Sequence, residues 1–104
     1  MVDITLNTEL TTDWKHISAE MPLADGSTYL MDIPFNAPLN VANDVYVHWA
    51  FTSDTTEPTA ALSPHIWRAQ LNGLSAQARF AQRAGQELWM RMATGTAILV
   101  ATPV

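Results

Sequence analysis

The sequence predicts an all-β fold: a single-domain antiparallel β-sandwich, jelly-roll or immunoglobulin-like, of about seven or eight short strands. Three observations predict it. Oily and polar residues alternate with a period of two over several stretches, the mark of half-buried strands. Turn residues recur roughly every ten positions, the spacing of a sandwich. The last nineteen residues, QELWMRMATGTAILVATPV, hold only two charges, Glu87 and Arg91. Strands apolar on both faces belong in the middle of a sheet that is covered twice.

Taken in order, VDITL alternates Val2, Ile4 and Leu6 with Asp3 and Thr5, and residues 1–12 can serve as an N-terminal arm that pairs with a neighbour. A short strand is expected around Trp14 to Ala19. Asp25-Gly26 is a turn signal. STYLMDIPF follows, with Tyr29, Met31, Ile33 and Phe35 on one face. Pro34 cannot donate to a ladder, so this strand is an edge or ends there. DVYVHWAFT puts Val45, Val47, Trp49 and Phe51 on one face, and Tyr46, His48, Ala50 and Thr52 on the other. Segments 36–43 and 53–60, rich in small polar residues and proline, read as loops.

Residues 63–85 support two readings. Trp67, Leu71, Leu74, Ala78 and Ala81 are spaced as a helical stripe, with Ser63 as N-cap, Pro64 first in the helix and Gly85 as the stop. Asn72-Gly73 in the middle is instead a strong hairpin turn. It joins His65, Trp67, Ala69 and Leu71 on one strand face to Ala78 and Phe80 on the next. The surrounding segments are β, so two strands are favoured over one helix. The closing residues then form two strands joined at Thr94-Gly95. Leu88, Met90 and Met92 share a face opposite Trp89 and Arg91, and Ala97, Leu99 and Ala101 lie opposite Ile98 and Val100.

Apolar residues make up 48% of the chain and charged residues 14%, against roughly 25% charged in an average domain. A surface poor in charge suits a subunit that packs on others; a surface merely rich in Thr, Ser, Asn and Gln is the plainer explanation. With no cysteine, a fold formed in a reducing cytoplasm is favoured. The start does not read as a signal peptide. The longest apolar run, near Ala97 to Ala101, is too short for a bilayer, so no membrane partner is expected.

Residues 1–57 hold nine acids and one base, Lys15, whereas residues 58–104 hold Glu87 and four arginines, Arg68, Arg79, Arg83 and Arg91. If the halves form different faces, this polarity favours docking on another protein. If they interleave, the charges pair across strands. Four arginines beside so many acids do not make a nucleic-acid footprint.

The residues supply no recognisable chemistry. His16, His48 and His65 lie in separate segments without metal-ligand spacing, so no metal is expected. His48, on the outer face, is expected to meet Asp32 or another acid across strands. Ser63-Pro64-His65 gives adjacency without a nucleophile–base geometry. Asp25, Asp44 and Asp54 sit at turns or strand ends, where Asp is common. The glycines are isolated, with no phosphate-cradling loop. No cofactor or enzymatic activity is expected. The four tryptophans Trp14, Trp49, Trp67 and Trp89 can be core anchors, interface hot spots or a sugar-stacking platform. Trp49 reads as core, and Trp89, beside Arg91, as the exposed contact aromatic.

AGQELWMRMATGTAILVATPV, with its Gly, Leu-Trp, Arg, short turn and final apolar strand near Thr-Pro, resembles the close of small structural proteins of tailed bacteriophages. DGSTYLMDIPFNAPLNVANDVYVHWA and the later Pro-Thr loop resemble their layout, although LNGLSAQ stands where a compact Pro-Gly turn is usual. The resemblance implies a non-enzymatic virion protein assembled in the host bacterial cytoplasm: a capsid decoration or cement protein, or a collar, fibre-base or tail component. Its partners would be the major capsid protein or another virion protein and further copies of itself, a trimer being favoured. Candidate contact residues are Trp89, Arg91, Arg79, Arg83, Ile4 and Leu6. The alternative is a carbohydrate- or receptor-binding module of a head fibre or tail.

Overall fold

The structure, a computed structural model, describes residues 6–34, 44–58, 65–71 and 74–104. Its elements in chain order are β1 (Leu6–Leu10), β2 (Lys15–His16), the single helical turn α1 (Ile17–Glu20), β3 (Thr28–Asp32), β4 (Val45–Thr52), β5 (His65–Leu71), β6 (Leu74–Ser75), β7 (Ala78–Ala81), β8 (Glu87–Met92) and β9 (Ala97–Pro103). All pairing is antiparallel. One sheet runs β1-β9-β3-β7 and the other β2-β8-β4-β5-β6. The chain is therefore a small antiparallel all-β fold of two sheets, like a sandwich.

The pairing is nested. β1 pairs with β9, β2 with β8, β3 with β7 and β4 with β5, as though one long hairpin had been folded at its middle. Two further pairings, β3 with β9 and β4 with β8, roll that hairpin into two sheets. Every outer-to-inner pair joins an early strand to a late one, so the acidic and basic halves of the chain interleave. Between the sheets lies one apolar cluster. Leu10, Met31, Leu99 and Ala101 come from the first sheet, and Val47, Leu88, Met90 and Met92 from the second, all at most 2% exposed.

Period-two alternation places these side chains as expected in β3, β4, β8 and β9. β3 stops at Asp32, two residues before Pro34, and is an interior strand, not an edge. Asp25-Gly26 makes the turn before it, with Gly26 at φ +83°, where a side chain would be strained. Phe35, Ile4 and segment 36–43 lie outside the described residues, as do 59–60 of the second loop; residues 53–58 have no regular structure.

Three expectations are corrected. The short strand near Trp14 is only Lys15–His16, after which the chain makes a helical turn that buries Ile17. Residues 65–81 are not one hairpin: β5 and β6 pair, with Leu71 opposite Leu74, but β7 crosses to the other sheet and pairs with β3. A bulge also interrupts the alternation of β5, since Tyr46 stands opposite Arg68 and Val45 opposite Gln70. Gln70 is buried, and its Nε2 donates to the Ile33 carbonyl at 2.9 Å, which ties the second sheet to the chain just past the end of β3. The closing strands β8 and β9 do meet at Thr94-Gly95, but each joins a different sheet.

Both closing strands are interior to their sheets, as expected. β8 is covered on both faces by its own chain. β9 is covered only inward: Ile98 is 43% exposed and Val100 half-buried on its outer face.

Candidate functional site

Two places gather aromatic and arginine side chains, and they are built differently. The first is the outer face of the second sheet around β8. Trp89 is only 6% exposed. The register sets it between His16 on β2 and Ala50 on β4. The His16 ring stacks on it with centroids 4.5 Å apart and planes 10° apart. Its Nε1 donates to Thr52 Oγ1 at 2.9 Å, so the one polar atom of the indole is satisfied. His16 Nε2 lies 2.9 Å from Glu87 Oε1. Trp89 is thus not an exposed contact residue. Alternation correctly puts it on the outer face, but a strand with neighbours on both sides can bury a residue there too.

Arg91, opposite His48, is likewise engaged. Its guanidinium lies 4.5 Å from the Trp14 ring centroid, and its Nε donates to His48 Nδ1 at 3.2 Å. His48 therefore meets a base across the strands, not an acid as expected. Nδ1 must be unprotonated to accept that bond, which leaves the ring proton on Nε2. Burial, and next the Arg91 charge, hold the imidazole below its ordinary value of 6.5.

The second place is a cleft of about 560 Å³ between β5 and β7. Its floor is aromatic. Trp49 from β4 meets Phe80 from β7 edge-on at 5.1 Å, Phe51 edge-on at 5.8 Å, and stacks with His65 of β5 at 4.3 Å. Trp67 adds a further edge contact to Phe80 at 6.0 Å, and its Nε1 donates to the Ala76 carbonyl at 2.8 Å, pinning the crossing from β6 to β7. Trp49 is half-buried against the core rather than sealed in it.

Arginine forms the rim. Arg68, Arg79 and Arg83 line the cleft, and among the described residues no acid does. Arg68 lies 3.9 Å from Asp44 and 5.7 Å from the Tyr46 ring centroid. Arg79 and Arg83 are exposed and form no salt bridge among the described residues. Gln82, 3% exposed, holds the turn that carries Arg83. Its Nε2 donates to the carbonyls of Arg83 (3.1 Å) and Gln86 (2.6 Å), and its Oε1 accepts from Ser18 Oγ at 2.8 Å. Ser18 Oγ in turn accepts from the Leu88 amide at 2.7 Å, a network in which the buried side-chain atoms all have partners.

Of the contact candidates read from sequence, Arg79 and Arg83 come together in the cleft. Arg91 and Trp89 lie on the outer face of β8, and Leu6 packs half-buried against the core. Ile4 lies outside the described residues. Sequence reasoning placed Trp49 and Phe51 on one face but missed their partnership with Trp67 and Phe80, which only the strand order brings together. Among the described residues no group of three His, Asp or Glu side chains is placed to hold a metal ion. No helix there is long and apolar enough to cross a membrane.

Compared with known proteins, the chain matches no family, no curated protein and no solved structure.

Proposed function

We propose that this chain is a non-enzymatic structural protein of a tailed-bacteriophage virion, a jelly roll that decorates or cements the capsid through protein–protein contacts. The observation that carries the reading is the nested pairing. With the two-residue β6 set aside, the remaining eight strands order as 1-8-3-6 over 2-7-4-5, the pattern of two Greek keys wound together. That architecture is frequent in viral capsid proteins and lectins. An immunoglobulin-like sandwich does not pair its first strand with its last and its second with its penultimate in this way. Fold alone does not fix function. Two surface features support contact with other chains: the arginine-rimmed cleft, and the outer face of β9, where Ile98 stands 43% exposed. In this reading the β9 face is where further copies pack, as a trimer, and the major capsid protein or another virion protein is the larger partner.

The test is sedimentation of the purified protein with empty capsid shells of the phage that encodes it. Saturable co-sedimentation at a fixed ratio per capsid protein is the expected result. Protein left in the supernatant at every concentration would overturn the reading.

A second reading rests on the same cleft: a carbohydrate- or receptor-binding jelly roll of a head fibre or tail, in which Trp49 and Gln86 hold a glycan. Glycan-array binding that disappears in Trp49→Ala, with no association to shells, is the outcome that favours it.

A further inference from the structure

Building on the reading of this chain as a docking protein, we propose that the β5–β7 cleft receives an extended, acidic segment of a partner protein, which pairs along an open strand edge and sets a bulky apolar side chain against Trp49, Trp67 and Phe80. Three observations converge on that occupant.

The cleft follows strand edges. Its walls include consecutive residues, Ile66, Trp67 and Arg68 on one side and Ala78 through Ala81 on the other. Consecutive residues of a strand point to opposite faces, so a wall made of both must run along the strand's side. β7 is outermost in its sheet. β5 pairs with β4 on one side, and on the other has β6 beside it only at Gln70 and Leu71, so the side of Ile66–Arg68 away from β4 has no strand neighbour among the described residues. Edges of this kind pair with an added extended segment, whose alternate side chains fill the pockets.

Charge selects the sign of the guest. Among the described residues the cleft is lined by three of the chain's five basic side chains and no acid, while the chain as a whole is −5, leaving −8 on everything else. A field so divided draws an anionic partner to this edge. It also opposes a second copy docking here by the same edge, since Arg79 and Arg83 would face Arg79 and Arg83.

Ring geometry disfavours a sugar. His65 occupies a face of Trp49, and Trp67 and Phe80 are each only 7% exposed. That leaves only the second face of Trp49 and the half-buried Phe51 for a pyranose to stack upon, whereas a narrow apolar side chain can pack against the ring edges.

The experiment is fluorescence anisotropy with a labelled peptide that alternates Glu with Val and Phe, beside its Lys-for-Glu counterpart and a version N-methylated at alternate amides. The Glu peptide is expected to bind, more weakly as salt rises. The Lys peptide should not bind, and N-methylation should weaken binding about tenfold or more. R79E/R83E should lower the affinity of the Glu peptide by about tenfold or more. Lys15→Glu, a charge reversal on the distant β2, should leave it unchanged. Circular dichroism checks that the double variant is folded, and R79Q/R83Q replaces it should it misfold. The proposal is overturned if Glu and Lys peptides bind alike, if neither binds, or if the arginine variants bind as the parent does. It is overturned equally if N-methylation has no effect, if the cleft binds an anionic glycan in place of the peptide, or if its arginines control self-association instead. Shell binding without peptide binding removes this inference alone; peptide binding without shell binding removes only the virion reading.

Discussion

The outer face of β8 and the cleft beside β7 are made of the same residue types and use them in opposite ways. At β8 each aromatic and each arginine is engaged within the chain: Trp89 with His16 and Thr52, Arg91 with Trp14 and His48. At the cleft Trp49 is half-buried, and Arg79 and Arg83 reach no acid among the described residues. The difference lies in sheet position. β8 has a strand on either side, β2 and β4, so outer-face side chains meet cross-strand neighbours. β7 lies at the rim, and β5 outside its short pairing with β6 is open on one side, so side chains there have fewer cross-strand neighbours to meet. Residue type alone therefore does not distinguish a side chain that completes the fold from one left over for a partner.

The sharpest way to break this contrast is a pair of truncations. Trp89→Ala should destabilise by about 3–5 kcal/mol, because it empties a sealed site and removes the partner of Thr52. Trp49→Ala, at a half-open site, should cost about 1–2 kcal/mol. Urea titration of both variants measures the gap, and equal midpoints would erase the distinction between sealed and open. A smaller effect is expected at the hinge between the two regions. Gln82→Ala should cost about 2 kcal/mol by stripping hydrogen bonds from buried groups of the Ser18 and Gln86 network. It should also raise amide hydrogen exchange in the 83–86 turn that carries Arg83.

The smallest effect expected is a pH dependence at the β8 face. His48 has a folded-state pKa below its unfolded value, so the unfolded chain takes up that proton first. The associated stability is present above about 6.5 and is lost as pH falls through the folded value. Protonation at Nδ1 also ends the bond from Arg91. His48→Gln, which keeps an acceptor and does not titrate, should flatten the fall in urea midpoint between about pH 7.5 and 5. An unchanged slope in that variant would assign the fall to other groups.

Much of the fold was legible in the sequence because period-two alternation reports directly on burial. The inward residues of β3, β4, β8 and β9 follow from it, as does the end of β3 before Pro34. Alternation carries no information about which strands are neighbours. That gap explains the misjudged exposure of Trp89, the partner assigned to His48, and the crossing of β7 to the other sheet. The bulge in β5 beside the buried Gln70 leaves no local signature, since a one-residue shift arises from pairing. For the cleft, Arg79 and Arg83 were among the contact candidates named from sequence, yet their aromatic company comes from three strands, β4, β5 and β7, that only the fold brings together. The halves interleave and do not form separate faces, yet three of the late arginines gather at one rim, where Arg79 and Arg83 form no salt bridge among the described residues.

The nested pairing also has a consequence for the order of events during synthesis. Leu6 is matched with Ala101, and β9 separates β1 from β3. β1 has no sheet partner until β9 has emerged from the ribosome, and until then β3 has only β7. The nascent polypeptide must wait with oily stretches uncovered, and such distant matching makes for slow folding. Chaperone demand and yield on expression should therefore be more sensitive to lesions in β9 than to lesions of similar size in the local β5–β6 hairpin.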